Sequence, residues 1–246
     1  MRRSGPLICF TERPAARVRL FCVPYAGGGP AAFRAWPGDL GEEIEMWAAE
    51  LPGRGRRLGE PPLSSIASAT DELEDGVEPL LDRPYAVFGR SMGAILGYEL
   101  VQRLVRVAPP PVHLFVSGCG APERFAQLQR FDTSTEEALV EAVWQMGTAP
   151  PAVLADPEVR AIFLPILRAD LMACERYQDR GGPPLPCPIT VLAGDSDELV
   201  PAEALAGWEG RGAAGVRTES FPGGHFFVED RREAVTKLVR SVIIDQ

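Results

Sequence analysis

The sequence predicts an α/β fold in which a mostly parallel sheet is covered by helices on both faces. Short apolar runs alternate with longer amphipathic runs, as is typical of successive β-α-β units. The predicted strands cover residues 18–23, 44–49, 84–88, 112–117, 188–193 and 215–220, and the predicted helices cover 31–40, 65–82, 93–106, 202–209 and 229–243. We also expect residues 7–10 to add an edge strand. A chain of 246 residues with 46% apolar residues can bury one substantial core, so residues 1–246 are interpreted as a single domain.

One long interruption separates the strands at 112–117 and 188–193. Within residues 121–186 there is no strand signal, but 135–146 and 156–177 each place apolar side chains on one helical face. Pro165 lies within the second run and is expected to kink or split it. An inserted helical segment beside the central strands predicts a lid over a substrate channel, in preference to helices that only extend the core.

A G-x-S-x-G sequence, Gly89 to Gly93, lies between the predicted strand 84–88 and the predicted helix 93–106. A nucleophile elbow needs this context, because the serine must sit on a tight turn with its hydroxyl exposed. Glycines on either side let the strand and the helix pack closely around that turn. Ser91 is therefore the predicted nucleophile, and the N–H of Met92 is predicted to face a developing oxyanion.

The chain has only two histidines, so the general base is easily assigned. His113 begins a predicted strand and so lies at the edge away from the catalytic loops, where we interpret it as structural. His225 follows the strand at 215–220, in a glycine-rich turn at the catalytic edge. Asp197 follows the strand at 188–193 and is predicted to orient His225. The alternative acid is Asp195, which is closer to the strand and suited to capping the turn.

A glycine-rich loop, residues 24–29, follows the predicted strand at 18–23. Such a loop lets a backbone N–H face the active site, and an elbow nucleophile needs a second oxyanion donor from this position. Ala26 is the predicted donor, with Gly27 as the second choice.

The same loop also fits a different class of protein. Gly27, Gly29 and Ala32 match the dinucleotide fingerprint G-x-G-x-x-G/A, and Glu50 follows about 20 residues later, as a ribose-binding acid would. Pro30 opposes this oxidoreductase interpretation, because it removes an N–H where a pyrophosphate needs donors.

Charge and cysteine content narrow the possible partners and environment. A net charge of −9 disfavours nucleic acid as a partner. The five cysteines are scattered with no C-x-x-C pair. This pattern predicts that the protein lies in the reducing cytoplasm and that the cysteines form no metal site. No apolar run approaches the roughly 20 residues that a membrane span requires.

Arg54, Arg56 and Arg57 form a dense basic cluster in a loop expected at the catalytic edge. Two interpretations stay open: a solvated loop, or a docking site for a phosphate or an acidic protein.

Taken together, these segments resemble the type II thioesterases that accompany polyketide synthases and nonribosomal peptide synthetases, within the α/β-hydrolase superfamily. The resemblance covers nearly the whole chain, and the segments that carry it are Pro24-Tyr25-Ala26-Gly27-Gly28, Leu51-Pro52-Gly53-Arg54, Phe88 to Ala94, Gly147-Thr148-Ala149-Pro150-Pro151, Phe163 to Asp170, Gly194-Asp195-Ser196-Asp197 and Phe221 to Phe227. One position departs from the family pattern: Arg90 stands where a histidine is usual.

The resemblance implies hydrolysis of acyl groups from the phosphopantetheine arm of acyl or peptidyl carrier proteins, which clears aberrant or stalled chains. The reaction that it implies needs no metal or cofactor, and the net charge and the lack of a long apolar run predict neither nucleic acid nor a membrane as a partner. Two alternatives stay open: another serine hydrolase with the same triad, such as an acyl-CoA thioesterase or a carboxylesterase, and a non-catalytic module that binds carrier proteins.

Overall fold

The computed structural model describes residues 1–128, 131–146 and 154–245. Its eight strands form one sheet in the order β1-β2-β4-β3-β5-β6-β7-β8. The strands are β1 (Arg2–Ser4), β2 (Leu7–Cys9), β3 (Val18–Val23), β4 (Ile44–Ala49), β5 (Tyr85–Arg90), β6 (His113–Ser117), β7 (Ile189–Gly194) and β8 (Val216–Phe221). β1 and β2 pair antiparallel, β2 pairs antiparallel with β4, and the remaining pairs are parallel. The predicted mostly parallel sheet is confirmed.

Helices cover both faces of this sheet. In chain order they are α1 (Trp36–Leu40), α2 (Ile66–Val77), α3 (Met92–Leu104), α4 (Pro122–Leu128), α5 (Glu136–Met146), α6 (Pro157–Glu175), α7 (Ala202–Ala206), α8 (Phe227–Asp230) and α9 (Arg232–Ile244). Side chains alternate between the faces along β3: Phe21 and Val23 join the core under α2 and α3, whereas Leu20 and Cys22 join the core under α1 and α9.

The predicted helix at 31–40 is wrong as a single element. A 3₁₀ turn at Pro30–Phe33 is followed by the separate helix α1. Pro37 is the second residue of α1, where a missing N–H is tolerated. Inside a continuous helix the ring of Pro37 would clash with the carbonyl of Phe33.

Residues 7–10 do not form the edge of the sheet. β2 lies one strand in, because β1 turns back at Gly5 (φ 50°) and pairs with it. β1 has the polar sequence Arg-Arg-Ser and is mostly exposed, so it has no apolar pattern by which it could be predicted.

Three described helices, α4 to α6, lie between β6 and β7, and we call this segment the insertion. α4 was not predicted. α6 continues through Pro165 and is not split. Pro165 is on the exposed side of α6, so water can bond the carbonyl that the proline leaves without a donor. The segment Gly147-Thr148-Ala149-Pro150-Pro151 lies outside the described residues.

All five cysteines are buried and none forms a disulfide. Of the helices in the described ranges, none is long and apolar enough to cross a bilayer.

Candidate active site

Ser91 occupies the turn between β5 and α3. Its backbone has φ 51° and ψ −118°, and it is the one non-glycine residue with positive φ in the described part of the chain. This conformation is strained for a residue with a Cβ, and such strain is maintained only where the surroundings enforce it. The Ser91 N–H donates to the carbonyl of Ser117 at the end of β6, at 2.8 Å, which ties the turn to the neighbouring strand.

The glycines on either side of this turn have no room for a side chain. A Cβ on Gly89 would lie 2.1 Å from the carbonyl oxygen of Gly93, and a Cβ on Gly93 would lie 2.2 Å from the carbonyl oxygen of Val23. Because these neighbours are backbone atoms, they cannot move aside as a flexible side chain would. The G-x-S-x-G spacing is therefore explained by close packing of β3, β5 and α3.

Ser91, His225 and Asp197 lie in a hydrogen-bonded line. His225 Nε2 is 3.2 Å from Ser91 Oγ, and His225 Nδ1 is 2.9 Å from Asp197 Oδ2. With the proton on Nδ1, the imidazole donates to the carboxylate and Nε2 is free to accept from the hydroxyl. The side chains of His225 and Asp197 are 8% and 2% exposed, so bulk water does not compete for these bonds.

The second oxygen of Asp197 is held by the backbone. Oδ1 accepts the N–H of Leu199 at 2.9 Å and the N–H of Val200 at 3.3 Å. These bonds fix the carboxylate so that Oδ2 faces the imidazole.

Asp195 has a different set of partners. Its Oδ1 accepts the N–H of Gly223 at 3.0 Å and the hydroxyl of Ser196 at 2.8 Å. The pKa of Asp195 is lowered mainly by the hydrogen bond from the Gly223 N–H, and to a smaller extent by the bond from the Ser196 hydroxyl. Through these two bonds Asp195 supports the loop that carries His225, and neither bond involves the imidazole.

His113 lies at the start of β6, where the parallel strands begin, whereas Ser91 lies where they end. Its Nε2 is 2.7 Å from Thr190 Oγ1, and the residue is buried. Burial, with a smaller contribution from Arg217, lowers the pKa of His113 to about 4.

Backbone N–H groups are available beside Ser91. Met92 is the first residue of α3, so its N–H has no acceptor within the helix. In the loop after β3, the Gly27 N–H donates to Asp170 Oδ2 of α6 at 2.7 Å. Of the two predicted donors in this loop, Gly27 is thereby occupied.

The dinucleotide interpretation does not fit the structure. The loop at Gly27 and Gly29 leads into a 3₁₀ turn of four residues, not into a helix that presents N–H groups to a pyrophosphate. Glu50 is buried, forms an ion pair with Arg3 and accepts the N–H of Arg56 at 3.1 Å, so it is not free to bind a ribose.

Arg90 links two loops of the site. Its guanidinium carbon lies 4.5 Å from the ring centroid of Tyr25 in the loop after β3, and 4.2 Å from that of Phe226 beside His225. It also forms an ion pair with Glu229, and burial lowers its pKa. The sequence singled out Arg90 only as a departure from a family pattern, and no signal in it connected Arg90 with Glu229.

Two of the three arginines in the basic cluster, Arg54 and Arg57, are ion-paired within the chain, which favours the solvated-loop interpretation over the docking site. Arg54 is buried in an ion pair with a carboxylate of α6. Arg57 forms ion pairs with Glu60 at 2.5 Å and Glu72 at 2.9 Å. Arg56 is the exposed member of the cluster. Carboxylates within the chain therefore already neutralise most of the charge that a docking patch would need.

Comparison with known proteins identifies the family. The thioesterase domain family matches residues 18–243. The gramicidin S biosynthesis protein GrsT of Aneurinibacillus migulanus is 36% identical over 234 residues, which cover 93% of this chain and 91% of GrsT.

Solved structures agree with this assignment. RedJ, a thioesterase from the prodiginine pathway of Streptomyces coelicolor, aligns with a TM-score of 0.86 and 37% identity, covering 94% of this chain and 87% of RedJ. BorB, the type II thioesterase from the borrelidin biosynthetic cluster, aligns with a TM-score of 0.89 and 30% identity over 99% of both chains. The chain therefore belongs to the thioesterase family, with the α/β-hydrolase fold, and its relatives include type II thioesterases of polyketide and nonribosomal peptide pathways.

Proposed function

We propose that this protein is a serine thioesterase that hydrolyses acyl groups from the phosphopantetheine arm of acyl or peptidyl carrier proteins, as an editing enzyme of a polyketide or nonribosomal peptide pathway. The observation that carries the proposal is the hydrogen-bonded line Ser91–His225–Asp197 in a chain of the thioesterase family. The names of its relatives support the pathway, since they belong to gramicidin S, prodiginine and borrelidin biosynthesis.

The first half of the reaction transfers the acyl group to the serine. His225 Nε2 takes the proton of Ser91 Oγ, and Oγ attacks the thioester carbonyl carbon. Asp197 stabilises the imidazolium that forms. The carbon–sulfur bond then breaks, and the thiol of the phosphopantetheine arm leaves with the proton from His225.

The second half releases the acyl group as a free acid. His225 removes a proton from water, and the resulting hydroxide attacks the acyl-serine carbonyl. The bond to Oγ breaks as His225 returns the proton to Ser91. The carrier is freed in its thiol form and the enzyme is regenerated.

Both tetrahedral intermediates need donors for a negatively charged oxygen. We assign the N–H groups of Met92 and Ala26 to this role. Two features support the assignment: Met92 begins a helix, where N–H groups lack internal acceptors, and the neighbouring N–H of Gly27 already bonds Asp170.

The insertion is proposed to act as a lid. On α6, Phe163 and Leu167 approach the glycine loop closely. A Cβ on Gly27 would lie 3.0 Å from the ring of Phe163 and 3.3 Å from a methyl group of Leu167. Ser91 is only 7% exposed. An apolar helix over a nearly buried nucleophile suits an acyl-chain channel and limits the access of water to it.

A comparison of substrates tests the proposal. The same acyl group is presented as an acyl-carrier-protein thioester, an acyl-CoA thioester and an oxygen ester, and kcat/KM is measured for each. We expect the carrier thioester to be hydrolysed with the highest kcat/KM. Preference for acyl-CoA or for the oxygen ester would indicate one of the other serine hydrolases. Carrier binding with no turnover would indicate the non-catalytic module.

A further inference from the structure

Two of the segments that carry the family resemblance, 51–54 and 163–170, meet in one buried ion pair. Arg54 Nη1 lies 2.8 Å from Asp170 Oδ2, and Arg54 Nη2 lies 2.9 Å from Asp170 Oδ1. The two side chains are 6% and 4% exposed. This two-point contact fixes the direction of the carboxylate as well as its distance.

Both members of the pair also bind the backbone of the glycine loop. Asp170 Oδ2 accepts the N–H of Gly27 at 2.7 Å, and Arg54 Nη1 donates to the carbonyl of Gly28 at 2.8 Å. Gly27 and Gly28 directly follow Ala26. The ion pair therefore holds the loop immediately after the proposed oxyanion donor, and it does so with charged groups, which form the stronger class of hydrogen bond.

Such bonds matter here because the loop has little stiffness of its own. Gly27 has φ 75°, and Gly28 and Gly29 follow it, so this stretch has access to many backbone conformations. An oxyanion donor is effective only when its direction is fixed before the charge develops. The side chains of Arg54 and Asp170 supply that restraint from outside the loop.

We propose that Asp170 and Arg54 are positioning residues that hold the Ala26 N–H in place for the oxyanion. They touch no reacting atom and act through the backbone of Gly27 and Gly28. Because Asp170 belongs to α6, this contact also makes the geometry of the oxyanion loop depend on the seating of the insertion. The inference rests on the proposed function, since it concerns the same hydrolysis.

The test uses Asp170→Asn and Arg54→Lys, with a small acyl thioester as substrate. Active enzyme is counted by the amount of fluorophosphonate bound at completion, so that unfolded protein does not enter kcat. We expect kcat per active site to fall about 100-fold, the loss typical when an oxyanion donor is removed or displaced by about 1 Å. KM should change little, because the oxyanion exists only in the transition state.

A boronic acid inhibitor supplies a readout that lost stability alone would not change. Its tetrahedral adduct with Ser91 places an oxygen in the oxyanion site, so its Ki should rise by about the same factor as kcat falls. As a control, a substrate analogue with an amide in place of the thioester forms no oxyanion, so its Kd should be unchanged in the variants.

The chain offers a matched control in the ion pair of Arg19 with Glu45. Arg19 Nε lies 2.8 Å from Glu45 Oε2, and the side chains are 4% and 3% exposed. Both residues lie near the starts of β3 and β4, at the edge away from Ser91. Glu45→Gln should lower the melting temperature as Asp170→Asn does, while kcat per active site stays at the wild-type value.

If the single variants do not fold, Arg54→Gln combined with Asp170→Asn leaves no unpaired buried charge and carries the same test. A wild-type kcat and boronate Ki in the folded Asp170 variants would overturn the inference, and so would an equal loss of kcat in Glu45→Gln. The proposed function fails on different results: wild-type turnover in Ser91→Ala removes the serine mechanism, and preference for acyl-CoA or an oxygen ester removes the carrier protein as substrate.

Discussion

At the scale of single residues, the two aspartates after β7 have different hydrogen-bond partners. Their positions in the sequence differ by two residues, but Asp197 faces the imidazole and Asp195 faces the backbone of the loop that carries it. From their positions in the loop alone, both aspartates were candidates for the residue that orients His225. Only the direction of each carboxylate separates them, and that direction is set by backbone N–H groups.

We predict that Asp197→Asn lowers kcat roughly 10⁴-fold, because an amide holds His225 in the wrong tautomer. Asp195→Asn should have a much smaller effect, since the amide oxygen can still accept the N–H of Gly223. Steady-state kinetics on the two variants, after circular dichroism has shown that both fold, decides between them. The roles are reversed if Asp195→Asn is the more damaging change.

His113 provides a prediction about stability at low pH. Burial disfavours the charged form and lowers the pKa of His113 in the folded protein to about 4, from an ordinary value of 6.5. Between these values the unfolded chain binds more protons than the folded one, so unfolding is favoured as pH falls from about 6.5 to about 4. The shift limits the effect to roughly 3 kcal/mol.

The measurement is the urea midpoint against pH for wild type and for His113→Gln, whose amide can replace the bond to Thr190. The variant should lose less stability than wild type over this pH range and should keep its catalytic activity. Parallel pH profiles for the two proteins would show that His113 does not contribute.

At the scale of elements, strand and helix signals identified most of the sheet, because its central strands are continuously buried and each has apolar residues at most positions. The same logic brought Ser91, His225 and Asp197 to one edge, since each follows a parallel strand. The ion pair of Arg54 with Asp170 joins positions 116 residues apart, and no local pattern encodes such a contact.

The contact between β3 and α3 yields a prediction at this scale. Gly93→Ala would put a Cβ 2.2 Å from the carbonyl oxygen of Val23, so we expect a loss of about 3 kcal/mol in the free energy of unfolding, at the upper end for overpacking. Gly97→Ala is the control on the same helix, because its Cβ would lie 3.0 Å from a side-chain methyl of Val87, which can adjust.

For Gly97→Ala we expect a change within about 1 kcal/mol, since alanine also favours the helix. Urea unfolding measures both variants. Equal stabilities would contradict the close packing proposed for the elbow.

At the scale of the whole molecule, net charge and local charge lead to different conclusions. The chain carries a net charge of −9, and the arginine cluster interpreted either as a solvated loop or as a docking site is largely neutralised by ion pairs within the chain. Composition predicts the net value but not which arginines are already paired. If a carrier protein docks on this loop, Arg56 is the arginine of the cluster that is exposed to it.

The site as a whole depends on four separate parts of the fold. The turn between β5 and α3 carries Ser91, the loop after β8 carries His225, the loop after β7 carries Asp197, and α6 contacts the glycine loop. These segments meet only when the sheet is complete and the insertion is seated on it. Loss of any one of them should therefore lower turnover, because the groups that they carry act together.

Turnover of an acyl-carrier-protein thioester by wild type, Ser91→Ala, His225→Ala and the double variant tests the central claim most directly. Free acid and free carrier thiol are measured together, on proteins shown to be folded. We predict that each single variant loses roughly 10³- to 10⁶-fold in kcat and that the double variant loses no more, because the two residues act as a unit. Wild-type release of the acid by folded Ser91→Ala would contradict the account.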